Sequence, residues 1–364
     1  MKILSPVNKP REVESLIAAG AQELYCGVLS SSWKKKYTNV ASPNRREWKA
    51  SNLNSYQELK EVVTLAHSQD VPVILTLNAF YTRPQYPALE KQLEEGLRAG
   101  VDALIVADLG LILFIRERGI KIPLHISTGG TTFNSQTIKF YQELGASRII
   151  LPRHFSVPEI VEIVQKAKGM EMESFILNRG CKNIDGFCTF QHGVNEVRWG
   201  PVWNIPKSRG LDYYFLNTLR RLPSRISSPI SRSSLFGSVG ACFLNYEVQA
   251  FSSPSIKVNE EKLRSAERSL SSTFNLLSGL DPCGVCHLYE FQKAGMHSVK
   301  IVGRSNPTSK KLKDVKFLKA SLNFLSRKPS QEDFVIFVKE KYREIYRFPC
   351  GELCYYYGKS SLNL

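Results

Sequence analysis

Seven of the eight cysteines in this 364-residue chain lie after residue 180, and their spacing is the first sign of chemistry. Six residues separate Cys181 from Cys188, another 53 precede Cys242, and 40 more precede Cys283. Four soft thiolates suit zinc or an iron–sulfur cluster. Structural zinc sites use tight C-x2–4-C pairs, so the open spacing favours a cluster held between loops. The plain alternative is a set of unrelated cysteines. Cys286, Cys350 and Cys354 form a second group. With Cys283 they make a C-x2-C and a C-x3-C pair, a pattern for a second metal or for a cluster using these ligands instead. Cys26 reads as core packing.

Polar residues at strand ends offer further chemistry: Asn78, Asp108, Ser127, Thr128, Arg153, His154 and Arg304. Arg153 and Arg304 could clamp a dicarboxylate through paired hydrogen bonds, or could serve only as strand-end salt bridges. His154 offers an acid or base, or is simply solvated. Asn78, Asp108 and Thr128 are candidates for substrate binding. Glu173 starts strand seven on the opposite face and reads as structural. The sequence contains no GxSxG or HExxH and no credible Ser/His/Asp order for peptide hydrolysis.

The elements that must position these groups follow a repeated pattern: a helical stretch, a glycine, then a short apolar run. It reads Ala18-Ala19-Gly20 before Glu23-Leu24-Tyr25-Cys26, Arg98-Ala99-Gly100 before Ala103-Leu104-Ile105-Val106, and Leu144-Gly145 before Arg148-Ile149-Ile150-Leu151. It returns at Ala294-Gly295 before Ser298-Val299-Lys300-Ile301-Val302. Glycine past a helix end takes the left-handed conformation that stops the helix. Strands are expected near 2–6, 23–28, 72–77, 103–107, 123–127, 148–152, 173–177 and 298–302. Capping boxes at Ser55–Glu58 and Ser156–Glu159 mark helix starts between them. Eight strand–helix units suggest a TIM-like (β/α)8 barrel, with a doubly wound open sheet as the alternative.

In a barrel, chemistry gathers where strands end, and that rim would receive Cys181, Cys188, Cys242 and Cys283. Asp281-Pro282 looks like a cap and first turn, placing Cys283 at a helix N-terminus that favours its thiolate. Between strands seven and eight, about 120 residues replace an ordinary crossover. The expected division is a barrel domain over 1–305, with its insertion at about 189–280, and a helical extension over 306–364. Within the extension, a helix near 308–326 puts Leu312, Val315, Leu318, Leu322 and Leu325 on one face and lysines on the other. The next, near 331–347, should return the Cys350–Cys354 tail to the rim.

The composition is that of a globular chain, 43% hydrophobic and 23% charged, with 49 basic residues, 33 acidic residues and a net charge of +16. No apolar signal region opens the sequence and no apolar run is long enough to span a bilayer. A cytoplasmic protein with reduced thiols is expected. Residues 198–237 hold seven bases and one acid, and residues 288–348 hold fourteen bases and six acids. In the first block Trp199, Trp203, Tyr213, Tyr214 and Phe215 interleave with Arg198, Arg209, Arg220 and Arg221. Arginines track phosphates and flat rings stack on splayed bases, so RNA is the partner this block suggests. A solvated basic loop packed on the barrel is the alternative.

Glu173-Ser174-Phe175 leads to Cys181, then Gly186 and Cys188. This Glu-x-Phe and C-x6-C pattern resembles the signature of the collagenase-like U32 peptidase family. Val101 to Asp108, Ser127-Thr128, Leu151-Pro152-Arg153, and Cys283 leading to Ser298-Val299-Lys300-Ile301-Val302-Gly303-Arg304 also match. The resemblance covers residues 1–305.

The resemblance implies a barrel and, despite the family's name, a 4Fe-4S protein of oxygen-independent hydroxylation. Relatives modify transfer RNA, ribosomal RNA or a quinone precursor, some with prephenate as the oxygen source. The implied cluster ligands are Cys181, Cys188, Cys242 and Cys283, with zinc as the alternative metal. An electron donor or protein partner is also implied. A U32-type peptidase and a non-catalytic, metal-stabilised RNA-binding protein are the alternative functions. The sequence departs from the family pattern at Leu177-Asn178, His154, Gly129 and Val302, which puts substrate and reaction in doubt more than scaffold.

Overall fold

Eight parallel strands close into a barrel in sequence order: β1 (Lys2–Pro6), β2 (Glu23–Cys26), β3 (Val73–Leu77), β4 (Ala103–Val106), β5 (Leu124–Ile126), β6 (Ala146–Ile150), β7 (Glu171–Leu177) and β8 (Ser298–Ile301). Ile3 of β1 lies opposite Val299 of β8, and this pairing rules out the open sheet. The computed structural model describes residues 1–37, 42–46, 51–178, 185–186, 282–347, 350 and 354–356. The insertion at about 189–280, with Arg198, Arg209, Arg220, Arg221 and Cys242, lies outside the described residues, as do Cys181 and Cys188.

The helices are α1 (Val13–Ala19), α2 (Ser31–Lys36), α3 (Tyr56–His67), α4 (Tyr86–Ala99), α5 (Leu109–Glu117), α6 (Ser135–Glu143), α7 (Val157–Lys166) and α8 (Leu288–Ala294). The expected punctuation governs their ends. Gly100 closes α4 at φ +85°, a left-handed conformation in which side chains are strained. The Ser55 hydroxyl accepts from the Glu58 N–H at 3.1 Å at the start of α3. At α7 the Ser156 N–H donates to Glu159 at 2.7 Å, and the Ser156 hydroxyl receives the reciprocal bond. Leu59, Val62, Val63 and Ala66 of α3 are buried, as are Ile160 and Val164 of α7.

Two further helices follow the barrel, α9 (Thr308–Leu325) and α10 (Gln331–Tyr346). α9 lies against α1 and β1, and α10 folds back on α9, with Phe324 and Phe337 stacked at 4.1 Å. One expectation fails here, because not all lysines of α9 face solvent. Lys310 and Lys311 are buried: the first turn of α9 docks on the strand ends, where carboxylates and amides receive it. Lys311 Nζ donates to Glu12 at 2.8 Å and Asn8 at 2.6 Å. Lys310 Nζ reaches Asn178 at 2.9 Å and Asp314 at 2.5 Å. A buried lysine is tolerated only when paired in this way.

The barrel interior carries charge as well as aliphatic packing. Arg148 on β6 donates to both carboxylate oxygens of Glu23 on β2, at 2.7 and 2.9 Å, and to Glu173 on β7 at 3.1 Å. Lys300 on β8 closes the chain onto Glu173 at 3.0 Å. Burial alone would raise the Glu173 carboxyl, but Lys300 and Arg148 overcome it and hold it near 2. Glu173 is thus structural, as expected, but from inside the barrel, with no exposure to solvent. Burial, reinforced by Arg148, pulls His125 on β5 down to about 3, so it is neutral in the fold. Among the described residues, no helix is long and apolar enough to cross a membrane.

Candidate functional site

A cavity opens on the rim where the strands end. Its lining includes Asn78, Thr128, Arg153 and Arg304, with Lys300 and Thr76 deeper in the barrel. Arg304 follows β8 through Gly303 and is 7% exposed. Its Nη2 donates to the Asn44 carbonyl at 3.1 Å and the Asn44 side-chain oxygen at 3.0 Å, whereas its buried Nη1 meets no acceptor among the described residues. Among the described residues no carboxylate pairs with it. Burial pulls the guanidinium below its ordinary value, with Tyr25 and Cys26 as its electrostatic neighbours. Gly27 makes room for it, since a Cβ there would stand 2.1 Å from Nη1.

Two more unpartnered polar atoms line the same cavity, Thr76 Oγ1 and Asn78 Oδ1. The Asn78 amide nitrogen is held by Ser127 Oγ at 2.9 Å. Thr128 begins the tight turn Thr128–Gly130 beside them. Below, Lys300 Nζ sits 4.2 Å from the centre of the Tyr25 ring. An uncompensated guanidinium and unpaired polar atoms in a half-enclosed space fit a small anionic ligand with further oxygen atoms, because buried polar groups otherwise forfeit their hydrogen bonds.

The other expected site residues have different neighbours. Arg153 lines the cavity but is tied to Asp185, whose carboxylate takes its backbone N–H at 2.9 Å, Nε at 3.0 Å and Nη2 at 2.6 Å. Its guanidinium also lies over the Phe175 ring. Burial would raise Asp185, but Arg153 holds its carboxyl below the usual range. His154 is exposed, and its Nδ1 accepts from the Asp185 N–H at 3.4 Å. Asp108 caps α5, accepting from the Leu111 N–H at 2.8 Å and the Tyr86 hydroxyl at 3.1 Å. Residue-by-residue reading missed Asp185 altogether. The available signal was the Asp185-Gly186 turn inside the C-x6-C stretch: Gly186 has φ +85°, and a Cβ there would meet Thr131 Cγ2 at 2.3 Å.

Cys283 corrects another expectation. It does not start a helix: its backbone bridges Leu177 at the end of β7 on one side and Cys354 on the other, and α8 begins only at Leu288. Burial therefore dominates over any helix dipole and raises its thiol well above the ordinary value. Cys286, Cys350 and Cys354 are its electrostatic neighbours, so the tail does return to this end of the barrel. Cys26 is fully buried in the core, and burial pushes its thiol up to about 12.

Comparison with known proteins joins these observations to a family. The sequence profile of peptidase family U32 matches residues 8–198, just over half of the chain. The tRNA hydroxylation protein P of Escherichia coli is 24% identical over 316 residues, covering 84% of this chain and 64% of that protein. The 23S rRNA 5-hydroxycytidine C2501 synthase of the same organism is 29% identical, covering 53% of this chain and 26% of the synthase. An uncharacterized protease of Methanocaldococcus jannaschii is 29% identical, covering 52% of this chain and 43% of its own length. The chain thus spans less than two-thirds of the length of each of these relatives. With the matched profile, the closed barrel and the Gly186 turn in agreement, the chain belongs to peptidase family U32.

Proposed function

We propose that this chain takes part in oxygen-independent hydroxylation of transfer or ribosomal RNA, using the barrel-mouth cavity to hold a small anionic oxygen donor. The observation that carries this reading is Arg304, a buried cation that has no carboxylate partner among the described residues and whose Nη1 edge finds no acceptor among them. A carboxylate such as that of prephenate would supply the missing charge and accept from Nη1, while the Thr76 hydroxyl could donate to a further oxygen and Asn78 Oδ1 could accept from a ligand hydroxyl. Asn44 fixes the guanidinium in advance, so little ordering remains at binding. Hydroxylation converts a C–H bond to C–OH, and the donor that gives up the oxygen atom accepts the electron pair. The names of the tRNA and rRNA relatives support RNA as the substrate, and Arg198, Arg209, Arg220 and Arg221 would meet its phosphates.

The family resemblance adds a 4Fe-4S cluster. Cys283, the described member of its expected ligand set, is buried beside the end of β7 at the strand-end rim, and a thiol there is a soft donor of the class that iron takes. Cys181, Cys188 and Cys242 would complete the set, and the cluster would supply electron transfer there. Arg153, braced by Asp185, would shape the cavity wall rather than grip the donor.

The test is nucleoside mass spectrometry of RNA from a strain lacking the gene. The expected result is loss of one hydroxylated nucleoside, restored by the wild-type gene. An unchanged nucleoside profile together with cleavage of casein by the purified protein would support the peptidase reading.

A further inference from the structure

The loops that follow β2 and β3 are basic, and they lie on the same rim as the cavity. Residues 27–55 and 78–85 together hold seven bases against one acid. Lys34, Lys35 and Lys36 form the exposed end of α2, and Arg83 is exposed in the second loop. Arg45, from the first loop, lines the cavity. The described parts of both loops contain no acid. Asp108, beyond the end of β4, does not answer these charges. Its carboxylate accepts from the Leu111 and Tyr81 N–H groups at 2.8 and 3.3 Å and from the Tyr86 hydroxyl at 3.1 Å.

The two loops brace each other. Trp33 of α2 is buried, with its ring centre 4.7 Å from that of Tyr37 and 6.4 Å from that of Tyr81. The Tyr37 hydroxyl donates to the Pro84 carbonyl at 3.0 Å, and the Tyr81 hydroxyl to the Pro43 carbonyl at 2.6 Å. The Ala79 N–H reaches the same Pro43 oxygen at 3.3 Å. Both neighbours of Phe80 are thus tied to the loop that carries Arg45, yet the Phe80 side chain is 54% exposed. A single exposed ring is unremarkable by itself, but this one stands beside a cation. A Cβ at Gly129 would lie 3.3 Å from Arg45 Nη1 and 3.6 Å from Phe80 Cζ, so guanidinium and ring converge on a backbone that has no side chain of its own. Arg45 is held there at φ +56°, in the left-handed region that side chains rarely adopt.

We propose that this face, from Lys34–Lys36 and Arg83 to Phe80 and Arg45, receives a single-stranded stretch of the RNA substrate and leads it to the barrel mouth. The proposal rests on the RNA reading above and adds to it the surface that holds the strand. The exposed cations would neutralise successive phosphates. The Phe80 ring would stack one unpaired base beside the cavity that Asn78, two residues earlier, lines. Arg45 adds a planar cation next to that base. A flat ring accepts any base, so the face would hold and orient the strand without reading its sequence. A duplex keeps its bases stacked and offers none to Phe80. An anionic membrane would attract the lysines but has no base for the ring, so RNA is the occupant that uses both features. The face is separate from the basic block at 198–237.

The test is binding of a fluorescent single-stranded oligouridylate, and of an RNA duplex of the same length, to the full chain over a range of salt concentrations. The proteins are the wild type, Lys34→Ala/Lys35→Ala/Arg83→Ala, Phe80→Ala and Phe80→Trp, all changed at exposed positions. The triple change is expected to weaken single-strand binding by at least about tenfold at near-physiological salt. It should also flatten the slope of log affinity against log salt by about 2, since each phosphate contact on a single strand contributes about 0.7. Phe80→Ala should weaken single-strand binding about tenfold with the salt slope and duplex binding unchanged, and Phe80→Trp should retain it. Wild-type affinity and salt slope in both alanine variants would overturn the surface and leave the RNA reading standing. A wild type that binds neither RNA would overturn both. Tighter binding to phosphatidylserine vesicles than to the oligouridylate, lost in the triple variant, would overturn the surface by assigning it to a membrane.

Discussion

Arg304 is held by Asn44 through one nitrogen only: Nη2 donates to the Asn44 carbonyl and side-chain oxygens at 3.1 and 3.0 Å, while the buried Nη1 finds no acceptor among the described residues. Folding thus keeps a cation in the barrel mouth that contributes little to its own stability. On the proposed reading, a bound anion supplies the partner that this buried group otherwise lacks among the described residues.

Arg304→Met is therefore expected to separate stability from function. Removing a buried, unpaired charge should leave the thermal midpoint unchanged or raise it by about 2–4 °C, equivalent to roughly 1 kcal/mol for a domain of this size. Binding of prephenate, followed by calorimetry, should weaken by at least about tenfold, or about 1.4 kcal/mol. A large fall in the midpoint would show instead that Arg304 is a structural residue.

Glu173→Gln should do the opposite and cripple the fold. It removes the carboxylate that neutralises both Lys300 and Arg148, and breaking a buried pair costs about 3–5 kcal/mol. The pH dependence has a definite sign. Glu173 ionises near 2 in the fold against an ordinary 4.5, so its contribution is complete above 4.5 and is lost as the pH falls through about 2. Denaturant unfolding should show the gap between wild type and Glu173→Gln shrinking across that window. A gap that stays constant down to pH 2 would contradict the network.

His125 adds acid sensitivity at a higher pH. It stays neutral in the fold down to about 3, whereas in the unfolded chain it takes up a proton near 6.5. Stability should therefore decline as the pH drops from about 6.5 towards 3, and His125→Gln should flatten that decline. An unaltered slope in the variant would assign it to other groups.

Gly186→Ala should loosen the turn that braces Arg153. A Cβ at this position would stand 2.3 Å from Thr131 Cγ2 on a backbone already at φ +85°, so a loss of about 1–3 kcal/mol is expected. The thermal midpoint should fall accordingly, and Asp185→Asn should produce a similar fall by removing the charge that Arg153 holds. Full stability in both variants would show that the turn does not brace the rim.

The barrel was legible in the sequence because its signals are local. Gly20, Gly100, Gly145 and Gly295 each stop a helix just before a strand, and all four take positive φ. Arg304 could be placed on the rim for the same reason, as the residue two past a strand end. Its lack of a carboxylate partner among the described residues could not be read, because that depends on Asn44 arriving from another loop and on Asp185, which lines the same cavity, pairing with Arg153 instead. Arg153 shows the converse: the sequence left it as a clamp or a strand-end salt bridge, and Asp185, 32 residues away, makes it the salt bridge. The interior charges escaped notice because Glu23, Arg148, Glu173 and Lys300 come from four strands far apart in sequence and meet only when the barrel closes. Cys283 was misplaced because a Pro at position 282 suggested a helix start, whereas the backbone there pairs with β7 and the tail.

The most direct measurement is the hydroxylated-nucleoside content of transfer and ribosomal RNA in a strain lacking the gene and carrying either the wild-type chain or Arg304→Met. The wild type is expected to restore one hydroxylated nucleoside, and Arg304→Met, present at equal level and folded, is expected to restore little or none. Full restoration by Arg304→Met, or RNA that never differs between the strains, would contradict a barrel-mouth anion site serving RNA hydroxylation.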